Sequence, residues 1–506
     1  MPTSRLTRRA TVLLVLLASA CATPTPPLPP GRALALANRI SWGADSAELH
    51  ALSQAGPERY LERELHPSSP DALPAAVQSQ IDAMEISRLP YPRLALELEH
   101  ERQAADAVAG DDDRKTAQQA YQQHMNRLAR ESATRSLLRD LYAPQQLREQ
   151  MTWFWVNHFS VHQYKSGVRA LLADYEDGLR ARALGRFRDL LGFSAHHPAM
   201  LLYLDNNQNA RGHLNENYAR ELMELHTLGV DAGYSQRDVQ ELARILTGFG
   251  VSYGEPPRLR PDWQAQYRRQ GLLEFNPARH DYGDKRFLGR PLRGRGAAEL
   301  DEVLDRLARH PATARFVSRK LAQYFVGDTP SPALLDTMSR RFLDSDGRIA
   351  DVLRVLFDSP EFSASLGHRF KDPIHYLVSA VRLAYDDKVI LNAGPILGWL
   401  NRMGEPLYGH STPEGYPLLA AGWAGSGQLN TRFEIARAIG SGNAGLFRND
   451  AAARDVRAAF PQLANAVYYA YWQATLAAAT RSALDQAQSP QEWNTFLLAS
   501  PDFMYR

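Results

Sequence analysis

Residues Tyr203–Gly229 read YLDNNQNARGHLNENYARELMELHTLG. Asp205 and three asparagines form an amide-rich loop, and a helical stretch follows with Glu216, Arg220, Glu221 and Glu224. On a wheel at about 100° per residue, Glu216, Thr227, Arg220, Glu224, Asn217 and Glu221 fall in one arc roughly 140° wide. Tyr218, Ala219, Leu222 and Leu225 take the other side, with Met223 near the boundary and His226 among the apolar residues. One helix thus turns three carboxylates and a guanidinium one way and puts an imidazole into its packed side. That pattern predicts a helix-rich fold with a polar helix face near a candidate site.

The alternative for this helix is a solvated face. Glu216 and Arg220 make an ordinary i,i+4 pair, and a histidine on an apolar face is commonly a satisfied core residue. Against that stand the amide-rich loop, suited to turns or ligand contacts, and the Asn215-Glu216-Asn217 start, placed where backbone N–H groups lack partners. The substrate-facing expectation falls on Asp205, Asn206, Asn215 and Asn217, and the acid/base expectation on Glu216, Glu221, Glu224 and Arg220.

The segment NENYARELMELHTLGV, with NHF upstream and HDYGDK downstream, resembles the signature of the DUF1800 family of bacterial exported proteins. HPAMLLYLDN, GYSQRDVQELARILTGF and KDPIHYLVSAVRLAY extend the likeness from about Arg39 to the terminal ASPDFMYR. The resemblance implies membership but no activity, because the family's activity is unassigned. One departure is that the C-terminal loop reads PEGYP where the family more often shows a Gly-Trp pair. Tyr416 keeps an aromatic ring there.

The chain has 506 residues, 44% hydrophobic and 23% charged, an ordinary globular composition with a sizeable core. Arg5, Arg8 and Arg9 precede the apolar run Val12–Leu17 and the small residues Ala18-Ser19-Ala20 before Cys21. A charged start, a short apolar run and small residues read as a signal peptide over 1–20 rather than a spanning helix. The stretch ending in cysteine resembles a lipobox, which predicts lipidation at Cys21 and a protein held to the membrane in the bacterial cell envelope, periplasmic or surface-exposed. Arg8-Arg9 also fits a twin-arginine export signal. Without those three arginines the balance is 55 basic to 56 acidic residues, which argues against nucleic acid as the partner. Cys21 is the single cysteine. An intramolecular disulfide is therefore excluded, and any metal must be bound by His and carboxylate ligands.

Residues 21–35 carry the cysteine and a proline-rich tether, ATPTPPLPPG over 22–31. Residues 36–506 read as a mainly α, multi-helix assembly with two long irregular regions and little β, with a sub-division near 250–296. Leu94–Tyr142 predicts two long helices joined by an acidic turn at 110–113, and Pro144 opens a buried helix through Phe159. Helices are expected over Leu184–Ser194, Asn215–Leu228 and Ser235–Thr247, the last with a Ser235/Asp238 capping box. Gly248–Gly296 reads as a long ordered loop with a short hairpin around Phe287-Leu288, and Gly404–Gly427 as a second irregular stretch. Helices resume over Ala297–Ser365 and Pro373–Tyr385. Leu356–Phe362 (LFDSPEF) echoes Leu497–Phe503 (LLASPDF).

Two further groupings carry chemistry. His158 and His162 are spaced i,i+4, the geometry that seats two imidazoles on one metal, although Phe159 stands where a zinc protease needs glutamate. Aromatic neighbours equally fit a core-packed His158. His280-Asp281-Tyr282-Gly283-Asp284-Lys285 places a His-Asp pair in a loop, fit for a metal or for an oriented base, or for a turn alone. Together these predict a divalent metal held by His158, His226, His280 and Asp281, with Lys285 reaching substrate. The function expected is a hydrolase of an envelope or extracellular polymer. The alternative is a non-catalytic scaffold or ligand-binding lipoprotein whose polar helix is a structural network.

Overall fold

The computed structural model describes residues 28–67, 72–165, 167–448 and 460–506. The leader, Cys21 and the first half of the proline-rich stretch lie outside the described residues. A helix, Pro30–Ile40, occupies the last part of the stretch expected as a tether through residue 35. Pro30 stands at the first helical position, where a missing N–H costs nothing.

The fold is mainly helical. A 16-residue helix, Tyr91–Asp106, is followed by a 32-residue one, Asp111–Tyr142. Asp111, Asp112 and Asp113 sit in the first turn of the second helix rather than in the turn before it, because negative charge stabilises a helix N-terminus. The reversal is made by the residues before them, ending at Gly110 with φ 87°.

The Gln146–His158 helix is the centre of the core, buried on nearly every side. Trp155 is fully buried and its Nε1 donates to the Ala183 carbonyl at 2.8 Å, so the indole dipole is satisfied inside an apolar setting. Phe154 meets Trp155 edge-on at 4.9 Å. Against this helix pack Pro57–Leu65, Asp111–Tyr142 and Leu172–Arg180. The Pro373–Tyr385 helix has every residue buried, capped by Asp372, whose carboxylate accepts from the His375 N–H.

Residues 248–296 are less irregular than the sequence suggests. Strands β1 (Phe249–Val251), β2 (Arg268–Gln270) and β3 (Leu273–Phe275) make an antiparallel sheet in the order β1-β3-β2, with Phe249 opposite Phe275. Three residues per strand are too few for alternation to register in the sequence. A second ladder, β4 (Arg286–Phe287) with β5 (Arg290–Pro291), is the expected hairpin. Its two loop residues, Leu288 and Gly289, both have positive φ (48° and 73°), the conformation that matches strand twist in a two-residue turn.

The echo between LFDSPEF and LLASPDF has a local cause. Ser359 and Ser500 each cap a helical turn that starts with proline, accepting from Phe362 N at 3.1 Å and Phe503 N at 3.2 Å. The capping box at Ser235 and Asp238 opens the Gln236–Leu246 helix as expected. Asp238 also accepts from Leu288 N at 2.9 Å, which ties the hairpin to that helix. Ser235→Ala should therefore lower stability by about 0.5–2 kcal/mol in urea denaturation.

Candidate functional site

The polar helix is shorter than its sequence pattern, Asn217–Glu224, with Glu216 just before it. Tyr218, Ala219, Leu222 and Met223 are buried, and Glu221 and Glu224 are half-buried. Arg220 lies 3.5 Å from both Glu216 and Glu224, and Gln236 bonds Glu216 at 2.6 Å and Arg220 at 2.9 Å. Glu216, Arg220 and Glu224 are thus mutually engaged. Glu221 differs. Burial, then the charges of Glu224 and Glu414, hold its carboxyl above the usual range.

The amide loop serves the backbone. Asn206 donates to the Leu246 and Phe249 carbonyls at 3.2 and 2.9 Å, Asn215 to Asp205 O at 3.1 Å, and Asn217 to Leu204 O at 3.3 Å. Asn209, buried, donates to Ala243 O at 2.8 Å and accepts from Asn215 N at 3.1 Å. Asp205, in the left-handed region at φ 59°, pairs with Lys165 at 2.8 Å. The amides that suggested ligand contacts are the partners of an otherwise unpaired turn.

His158 and His162 do not share a helix face, because the helix ends at His158. His162 Nδ1 reaches the His410 carbonyl at 3.2 Å instead. His158 Nε2 donates to the His226 carbonyl at 3.1 Å, and the two rings lie 6.1 Å apart, both buried. His280 is elsewhere, its Nδ1 donating to the Thr247 carbonyl at 2.7 Å and its ring against Phe275 and Tyr282. Asp281 is clamped by Arg244 at 2.9 and 3.1 Å, which lowers its carboxyl to about 2. Lys285 is buried against Glu299 at 2.7 Å. The expected metal set of His158, His226, His280 and Asp281 is therefore not assembled. Among the described residues no group of three or more His, Cys, Asp or Glu is placed to hold a metal ion.

Burial, then the charge of Lys320, lowers the His226 imidazole to about 3, and burial, then Lys320, lowers His158 as well. A histidine that is easier to protonate unfolded than folded supports the fold fully above its unfolded pKa of about 6.5. That support is lost as pH falls from there toward 3. Relative to His226→Phe, the wild type should lose about 1.4 kcal/mol per pH unit below 6.5 in urea titrations at several pH values.

The groups that do converge were missed in the sequence. Asp140, Glu149 and Glu176 line one narrow cavity of about 30 Å³ open to water, walled by the 111–142, 146–158 and 172–180 helices. The irregular Gly404–Gly427 region is its roof, through Tyr408, His410 and Tyr416. Asn157 fixes that roof, donating to the Tyr416 carbonyl at 3.0 Å and accepting from its N–H at 2.6 Å. The Tyr416 hydroxyl donates to Pro406 O at 2.6 Å and its ring stands edge-on to His410 at 4.7 Å. Tyr203, from the opening segment, donates to Ser411 O at 3.0 Å, so the polar helix and the cavity share this loop.

The three carboxylates have different surroundings. Burial, then Glu149 and Glu176, pushes Asp140 well above the carboxylate range. Burial also raises Glu176, against the opposing pull of Arg135, Arg139 and the Tyr408 hydroxyl that donates to it. Glu149 faces Arg180, whose Nε lies 2.9 Å from both of its oxygens. Tyr408 holds its position at φ 56°, a costly conformation for a non-glycine, anchored by Gln163 N on its carbonyl at 2.9 Å. A carboxyl pushed upward by burial, in one cavity with a carboxylate matched by arginine, is an arrangement fit for acid/base chemistry.

No curated protein and no solved structure matches the chain. Residues 35–505 match the model of DUF1800, described as a protein of unknown function, and the chain belongs to that family.

Proposed function

We propose that this protein is an exported, lipid-anchored envelope protein and a hydrolase that works by carboxylate acid/base chemistry. One observation carries the hydrolytic reading: Asp140, Glu149 and Glu176 converge on a single cavity with unlike surroundings. Asp140 is the proton donor to the leaving group, and Glu149, matched by Arg180, draws the proton from an attacking water. The Tyr408 hydroxyl orients Glu176 behind them. The half-buried Val156, His410 and Tyr416 mark the side nearest solvent. The cavity itself has room for little more than water, so the substrate meets its mouth with a chain end of an envelope or extracellular polymer.

The test is release of reducing ends and free amines from isolated envelope polymer by the purified protein, with Asp140→Asn and Glu176→Gln alongside. Release that survives a chelator and falls in both variants is expected. No release from any polymer would sink the reading. For the anchor, Cys21→Ala should move the protein from the membrane to the soluble fraction. Among the described residues no helix is long and apolar enough to cross a membrane.

The non-catalytic reading has one observation in its favour, the closed set of Glu216, Arg220, Glu224 and Gln236 on the polar helix. On that reading Arg220→Met destabilises the protein and Asp140→Asn changes no activity.

A further inference from the structure

Residues 460–480 contain no Asp, Glu, Lys, Arg or His, in a chain that is 23% charged. Tyr468, Trp472 and Leu476 turn inward. Tyr468 stands edge-on to Trp493 at 4.8 Å, and Trp472 packs against Phe503 at 5.7 Å. Ala466, Tyr469, Ala470, Ala474 and Ala478 are exposed. The segment thus shows solvent an uncharged side of small residues around one large aromatic ring. Such a face gives up its water at little cost, because no ion has to be desolvated.

The first described residues meet this face. The Pro30–Ile40 helix packs on the Tyr468–Trp472 turn. The approach is so close that a Cβ on Gly31 would stand 2.7 Å from Thr475 Cγ2. Leu28 and Pro30 share with Ala470 and Tyr471 the walls of a cleft of about 240 Å³, and among the described residues no charged side chain lines it. Cys21 precedes Leu28 by seven residues, a reach of at most about 25 Å. A bilayer that holds an acyl chain on Cys21 therefore lies within that distance of the cleft. Tyrosine, with an apolar ring and a polar hydroxyl, is enriched at the headgroup level of membranes. A contact too weak to form from solution forms once a short tether makes it intramolecular.

We propose that the 466–479 face around Tyr469 docks on the headgroup layer of the membrane to which Cys21 is tethered. The Tyr469 ring enters the interface, and the alanines beside it let the layer approach closely. Because the face carries no charge, docking needs no anionic lipid and does not weaken with salt, unlike that of a polybasic surface. The inference rests on the lipid-anchored reading and is independent of the hydrolytic one.

The test couples the full chain through Cys21, its only thiol, to a maleimide-bearing lipid in phosphatidylcholine vesicles. That coupling supplies the tether whether or not cells acylate Cys21, so failure of the anchor is read separately, from fractionation of Cys21→Ala. Hydroxyl-radical footprinting with mass spectrometry then compares Tyr469 with Tyr164, which are 61% and 63% exposed. On the vesicles Tyr469 should lose most of its oxidation and Tyr164 none, at low and at high salt. Ala470→Glu combined with Ala474→Glu, both at exposed positions, should restore the oxidation of Tyr469 on the same vesicles. The proposal is overturned if Tyr469 is oxidised equally with and without coupling, if both tyrosines are protected alike, or if protection survives the two glutamates. Protection of Tyr469 in the uncoupled chain without vesicles also overturns it, and assigns the face to a second copy or to another part of the chain.

Discussion

Asp140→Asn lowers the hydrolytic rate by about 10²–10⁴-fold, the range for losing a positioned acid or base, and Glu176→Gln, behind the reacting pair, lowers it by less. Both substitutions keep side-chain size and polarity, so the cavity beneath Tyr408 and Tyr416 keeps its shape. An amide in place of the Asp140 carboxyl cannot release a proton to a leaving group. The stability readout separates this role from a structural one. Burial and two neighbouring carboxylates raise the Asp140 carboxyl, so its contribution is fully present below the unfolded pKa and is lost as pH rises through the raised one. The substituted amide carries no such dependence. The variant should therefore gain stability relative to wild type as pH increases, even while activity is gone. On the wild-type rate profile the same titration gives an alkaline limb. A variant that keeps the wild-type rate, or loses rate only in proportion to unfolded protein, removes Asp140 from the reaction.

How far the sequence revealed this site follows from what each signal encodes. Burial of Tyr218, Ala219, Leu222 and Met223 against the exposed side of Arg220 was legible, because a 3.6-residue period reports which face packs. The cap at Ser235 was legible, since a capping box is a property of a few adjacent residues. Where a helix stops was harder. Nothing in Asn157-His158-Phe159-Ser160 marks the end at His158, and with it went the paired-imidazole geometry. The amides of 206–217 were visible but their use was not, because a hydrogen bond from Asn209 to Ala243 O spans 34 residues and leaves no local trace.

The carboxylates of the cavity were hidden for a related reason. Asp140 and Glu149 stand in stretches, Leu137-Leu138-Arg139-Asp140-Leu141 and Arg148-Glu149-Gln150-Met151, in which arginines beside the acids look like surface pairs. Their signal was position rather than type: both occupy the buried stripe of their helices. A wheel applied to Asp111–Tyr142 and Gln146–His158, as it was to the polar helix, would have picked out acids on apolar faces.

Lys285→Met should cost about 3–5 kcal/mol, the penalty for stripping one partner from a buried pair. Lys285 and Glu299 have side chains 0% and 1% exposed, with Nζ 2.7 Å from Oε2. Methionine fills the same space but leaves Glu299 as an uncompensated carboxylate 3.4 Å from His280 Nε2. It also withdraws the hydrogen bond that Lys285 gives to the Asp281 carbonyl. That bond and the Glu299 contact join the His280–Lys285 loop to the Ala298–Ala308 helix, while Arg244 holds the other side of the loop through Asp281. The loss should therefore appear as cooperative destabilisation in urea rather than local fraying. Replacing both partners, Lys285→Met with Glu299→Leu, removes the charge and should recover most of the loss, because an apolar pair of similar volume is near neutral. The double-mutant cycle isolates the coupling. If Lys285→Met alone costs less than about 1 kcal/mol, the value of a solvent-screened pair, water reaches Glu299 and the HDYGDK motif is held by Arg244 and Thr247 instead.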